Sequence, residues 1–103
     1  MTRVPTADIR FTARAASELG AAFRWYRQRN AVAAEKLLSE VAATVGRIAS
    51  SPGSHRSVRH NVRRAFVRRF PYAVYFESTD ASIVILGIVH LRRSSAEWPP
   101  GTN

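Results

Sequence analysis

Residues 63–98 read RRAFVRRFPYAVYFESTDASIVILGIVHLRRSSAEW, and the fold turns on this stretch. Val62, Phe66 and Val67, followed by residues 72–76, make two β-rich runs that read as a hairpin turning near Arg69-Phe70-Pro71. Pro71 has no amide hydrogen to give to a ladder, so it belongs at the start of the later strand. Residues 77–81 form a polar turn. Residues 82–89 are strongly β-branched and almost continuously apolar, which suits a central strand covered on both faces. In so small a sheet Phe66 and Phe76 belong to the core, and Tyr72 and Tyr75 less fully, because their hydroxyls need an outlet. The same aromatic residues, with Phe70, have the alternative of stacking on bases of a single strand. After His90 the chain turns polar, and Pro99-Pro100-Gly101 ends regular structure.

Upstream, residues 8–11 alternate polar and apolar and suit a short edge strand with Ile9 and Phe11 inward; Pro5 blocks earlier pairing. Thr12 is placed to cap a helix over residues 13–29, with Ala16, Leu19, Ala22 or Phe23, and Tyr26 on one face. Gly20, in its middle, either weakens this helix or marks a close helix contact. Asn30 breaks the helix and leads by a tight turn into a second one over residues 31–50. Val32, Leu37, Leu38, Val41, Val45 and Ile48 line its inner face, and Ser51-Pro52-Gly53 stops it. Residues 55–69 begin as loop and become strand. The order is β-α-α-β-β-β, an α+β fold in which a helical hairpin packs on one face of a small, mostly antiparallel sheet and leaves the other face for a partner.

The 103 residues suffice for one domain, residues 1–103, without internal repeats. With 46% hydrophobic and 22% charged residues the chain is expected to fold rather than remain disordered. The absence of cysteine removes any dependence on disulfides and makes the cytoplasm the default location. Residues 1–12 lack the apolar core of an export signal, and the longest apolar run, residues 83–89, is too short to span a bilayer, so no membrane role is expected. A net charge of +9 draws the protein toward polyanions or an acidic partner. Lys36 is the only lysine, so that charge is almost all arginine, whose planar donor fork suits phosphate and carboxylate.

The cations cluster. His55, Arg56, Arg59, His60, Arg63, Arg64, Arg68 and Arg69 occur with no acidic residue between them. If the later strands form a meander, this segment approaches Arg92-Arg93 and makes a cationic patch. Target or nucleic-acid contact is therefore assigned to Arg63, Arg64, Arg68, Arg69, Arg92 and Arg93. His90, at the end of the last strand, titrates near neutrality and has the chemistry of a general acid or base; hydrogen bonding to backbone or a partner is the plainer role. His55 and His60 have no metal-ligand spacing with a carboxylate, and no metal or cofactor is implied. Nucleotide-binding glycine loops, zinc signatures, nucleophile elbows and close carboxylate pairs are all missing, which disfavours an ordinary hydrolase.

The strand order, with Val62-Arg63-Arg64, residues 69–76 and residues 85–93, resembles the RelE/ParE superfamily of type II toxins. The likeness spans essentially the whole domain, although only its second half is specific. It implies growth arrest by the free toxin, a role in plasmid stabilisation, and neutralisation by a cognate antitoxin that wraps around it. Operator DNA would be bound only through the antitoxin complex. With the charge, it suggests an amphipathic, acidic-leaning antitoxin segment lying across the sheet and helical hairpin.

Two mechanisms divide the superfamily. The RelE branch cleaves mRNA on the ribosome with basic residues and a C-terminal tyrosine or histidine; the ParE branch binds and poisons DNA gyrase. Under the nuclease alternative the catalytic residues here are His90, Arg92 and Arg64. Tyr72, however, occupies a position that often carries an arginine in the nucleases, and Trp98, near where a proton-transferring tyrosine might stand, has only an indole donor. The start Phe70-Pro71-Tyr72 also resembles the ParE side. The sequence therefore favours a non-catalytic, gyrase-directed toxin, with an mRNA endonuclease or a non-toxic basic interaction module as alternatives.

Overall fold

A computed structural model of the protein describes residues 8–92. Pro5, Arg93, Trp98 and the Pro99-Pro100-Gly101 ending lie outside the described residues. The elements are β1 (Asp8–Phe11), α1 (Ala13–Arg29), α2 (Ala31–Ser50), a 3-10 turn (Pro52–Ser54), β2 (Arg56–Arg59), β3 (Val62–Phe66), β4 (Tyr72–Ser78) and β5 (Ser82–His90). One five-stranded sheet has the order β1-β5-β4-β3-β2. β1 runs parallel to β5, and the other pairs are antiparallel.

The α+β class and the helical hairpin follow the sequence reading, with one strand more. β2 falls where a loop was expected. Its sequence, Arg-Ser-Val-Arg, has a single apolar residue and gives no alternation to read, and its pairing with β3 shifts register between Ser57 and Arg59. A short, charged, bulged strand is how a sheet edge avoids unwanted pairing.

The helices are defined by their caps. Thr12 Oγ1 accepts the Ala15 amide at 3.0 Å and Asn30 Oδ1 accepts the Ala33 amide at 3.1 Å. Asn30 also gives its own amide to the Tyr26 carbonyl, so one residue closes α1 and opens α2. Replacing Thr12 or Asn30 by alanine is expected to cost about 1 kcal/mol each, lowering the melting temperature by roughly 4–8 °C in a circular-dichroism melt.

Most of each expected stripe is buried, since Leu19, Ala22 and Tyr26 on α1 and Leu37, Val41, Val45 and Ile48 on α2 belong to the core or pack against it; the exceptions are Ala16, Val32 and Leu38. On α1 the buried residues are Ala15 and Ala22, with Leu19 and Tyr26 packed beside them, whereas Ala16 is exposed. On α2, Ala34, Leu37, Val41, Thr44 and Ile48 face the sheet, while Val32 is 65% exposed and Leu38 also looks outward. A 3.6-residue period admits either set. The small residues Ala34 and Thr44 let α2 sit close, and the Thr44 hydroxyl is satisfied by the Glu40 carbonyl at 2.7 Å. Gly20 marks no helix contact: an added Cβ would meet only the end of the Arg24 side chain.

Between helices and sheet lies the main core, including Leu37, Ile48, Val74, Phe76 and Ile85. The opposite sheet face carries a smaller cluster of Ala73, Tyr75 and Val89, bordered by Val58, Val62, Leu86 and Leu91. Phe66 lies on that second face and is 54% exposed, contrary to its assignment to the core, because its cross-strand partner is Ala73, on the side away from the helices. Phe11 turns to the helix side but is also exposed, since β1 is the outermost strand and only α1 reaches over it.

Candidate functional site

The β3–β4 turn determines where the cations go. Val67 gives its amide to the Tyr72 carbonyl, and Tyr72 gives its own to Phe70, a three-residue turn centred on Pro71, whose fixed φ fits it. Arg69 sits at φ 71°, in the left-handed region. Arg68 and Arg69 are thereby exposed at the tip. The Leu91 amide donates to the Pro71 carbonyl at 2.9 Å, and His90 lies opposite Tyr72 in the ladder. Arg68, Arg69, His90 and Arg92 therefore gather at one end of the sheet.

Arg63 and Arg64 do not join them. Adjacent residues of a strand project to opposite faces. Arg63, paired with Phe76, is on the helix side, where its Nη1 donates to the His55 carbonyl at 2.7 Å. Arg64, paired with Tyr75, is on the other side, its guanidinium 4.9 Å from the centre of the Phe66 ring. Among the described residues the buried Arg64 Nε finds no hydrogen-bond partner. His55 packs edge-on against Phe76, and His60 occupies the β2–β3 turn at φ 46°. Arg93 lies outside the described residues.

His90 turns toward the helices. Its ring stands edge-on to Tyr72, 5.1 Å between centres, and its Nδ1 accepts the Arg92 amide at 3.1 Å. It lines two adjoining hollows of about 280 and 320 Å³ that share Trp25, Tyr72 and His90 and together form a groove between α1 and the end of β5. Trp25 is 43% exposed there, and the Arg29 guanidinium lies 3.9 Å over its ring. Arg29 is fixed by donating to the Trp25 carbonyl at 2.8 Å.

Trp25 and Glu18, which lines the same groove and whose Oε1 accepts the Ile88 amide at 2.9 Å, are the residues that sequence reading missed. Trp25 falls outside the inward stripe of α1, and its neighbour Tyr26 drew attention only as core. The signal was present, since a tryptophan on the outer side of an amphipathic helix, four residues before an arginine, is poised for cation–π stacking.

Chemically, the arrangement offers cations, aromatic rings and strand backbone, and the described residues hold no cluster of histidine and acidic side chains able to bind a metal ion. No described helix is long and apolar enough to cross a membrane. A helical hairpin on a mixed sheet, with a cationic sheet end beside an aromatic groove, makes this a small basic α+β domain. Comparison with known proteins makes this specific. Residues 9–95 match the family model described as the ParE toxin of the type II toxin-antitoxin system, parDE, and the chain belongs to that family. A solved structure titled "Chromosomal ParDE TA system from P. aeruginosa" contains a chain of the same fold, with TM-score 0.71 and 23% identity over 84% of this chain and 97% of that one. No curated protein sequence matches.

Proposed function

We propose that this ParE-family toxin arrests growth in the cytoplasm when free of its cognate antitoxin, and that it does so by binding DNA gyrase rather than by cutting mRNA. The observation that supports a binding mechanism is the dispersal of the nuclease candidates. His90 faces the helix-side groove, while Arg64 is on the opposite face of the sheet, three ladder positions away and stacked on Phe66. General acid–base chemistry on a phosphodiester needs its groups within hydrogen-bond reach of one reacting centre. Arg64 and His90 have no common centre of that kind. A target protein, in contrast, needs only a cationic surface, and Arg68, Arg69 and Arg92 present one. Operator DNA is engaged only through the antitoxin complex.

Purified toxin should inhibit gyrase supercoiling in a plasmid assay and leave mRNA intact on translating ribosomes. Ribosome-dependent cleavage abolished by His90→Ala or Arg92→Ala would replace this reading with the endonuclease. Undiminished growth on induction without antitoxin would leave only a basic interaction module.

A further inference from the structure

The last turns of α1 reach the same end of the sheet as the β3–β4 turn, where the Tyr26 ring stands edge-on to Phe70 with 5.3 Å between centres. The hollow of about 280 Å³ there has walls of Trp25, Tyr26, Tyr72 and His90, joined by Arg92. Edge-on packing holds these rings in pairs, Trp25 against Tyr26 at 4.9 Å and Tyr72 against His90 at 5.1 Å. The walls are thus preformed, and a ligand has little ordering left to impose. Arg29 lies over the Trp25 ring without being a wall of the hollow, so it braces the indole from outside. The groove is also electrically polarised. Glu18, two helical turns before Trp25 and so about 10 Å along the axis, lines the adjoining hollow. Arg92 lines the first, at the end where Arg68 and Arg69 are exposed. Aromatic walls between a carboxylate and a group of arginines suit a guest with a flat, neutral ring at one end and negative charge at the other.

We propose that this groove binds a free nucleoside 5′-phosphate, with the base seated among Trp25, Tyr72 and His90 and the phosphates on Arg92. Stacking on aromatic rings is open to every base, and a guanidinium fork holds phosphate oxygens by charge-assisted hydrogen bonds. The ligand uses ring surface and arginine donors, so the hydrogen bonds that the lining residues already make stay in place. The His90 Nδ1 keeps the Arg92 amide, which fixes the start of the Arg92 side chain beside the hollow. Glu18 keeps the Ile88 amide and the Arg14 guanidinium, and its charge turns the phosphates toward the far end. A strand of several nucleotides fits less well, because Arg64 and Phe66, a second stacked pair, lie on the opposite face of the sheet and cannot continue a row of rings from the hollow. This inference goes beyond the gyrase-directed reading and requires nothing of gyrase or antitoxin.

The full chain is titrated calorimetrically with ATP, GTP, CTP and UTP, beside the parent nucleosides and inorganic tripolyphosphate. At least one nucleotide should bind with a dissociation constant below about 1 mM. In a Trp98→Phe variant, where Trp25 is the single tryptophan, the same nucleotide should quench the fluorescence over the same concentrations. Trp25→Ala, at an exposed position, should weaken the nucleotide roughly tenfold with an unchanged circular-dichroism spectrum and leave tripolyphosphate unaffected; Trp25→Phe, which keeps a ring, should retain most of the affinity. Arg92→Ala should weaken the nucleotide roughly tenfold and leave its nucleoside unaffected. An absence of binding by all four nucleotides, fluorescence that does not respond, or tripolyphosphate binding as tightly as the nucleotide would overturn the proposal. So would a Trp25→Ala variant that loses affinity for oligothymidine but not for mononucleotides, since the groove then belongs to a strand. A chain that spares gyrase yet binds the nucleotide keeps this site, and one that inhibits gyrase without binding it loses only this inference.

Discussion

Phe76→Ala is expected to be the most damaging single substitution in the described fold, costing about 3–5 kcal/mol against a total stability of about 5–15 kcal/mol. Phe76 is fully buried in the middle of β4, faces the helices, and meets His55 edge-on. Its cross-strand neighbours are Arg63 and Ile85, and Arg63 is tied to His55, so no flexible side chain stands ready to fill the void. Urea denaturation followed by circular dichroism should show the midpoint collapse. Phe66→Ala removes the same atoms from a half-exposed site and should cost less than about 1 kcal/mol. Equal losses at the two positions would contradict the assignment of faces.

The second large effect is on action rather than folding. Arg68→Glu, Arg69→Glu and Arg92→Glu combined reverse the charge at the sheet end where these three exposed residues meet. Like charges forced together across an interface cost several kcal/mol, so gyrase inhibition should fall by roughly a hundredfold or more and induced cells should resume growth. None of the three touches the core, and Arg69 keeps its left-handed backbone with either side chain, so the melting temperature should stay within a few degrees. If the triple variant remains fully inhibitory, the cationic end is not the contact surface. Arg63→Ala and Arg64→Ala should have smaller effects, because the first side chain is committed to the His55 carbonyl and the second to Phe66.

Much of the fold was legible because periodicity is a local property. Residues 72–76 and 82–89 are too apolar and β-branched to be anything but inner strands, and Thr12 and Asn30 announce helix boundaries by their side-chain chemistry. What failed to show in the sequence depends on distant neighbours. Phe66 is exposed because the β3 register faces it away from the helices, and no property of Phe66 itself encodes that register. Val32 and Leu38 are apolar yet outward because Ala34 and Thr44 allow close approach, an advantage that a count of large apolar residues overlooks. At the site, the gathering of Arg68, Arg69 and Arg92 was readable from a meander, because the hairpin turn and the end of β5 must then coincide. The separation of Arg63 from Arg64 needed only strand alternation. The Trp25–His90 groove was out of reach, since it arises from α1 lying along a strand 60 residues later in the chain, as does the bond from the Ile88 amide to Glu18, 70 positions apart.

The two borders of the sheet bear on a hazard that any cell making this protein in quantity must face. A ladder of copies joined border to border can lengthen without limit only if both borders accept a neighbour. Here one border is guarded by the outward arginines of a bulged strand, and the other by the short β1 and a carboxylate seated on the backbone beyond it. Copies of the chain thus repel or cap each other before a fibre can start.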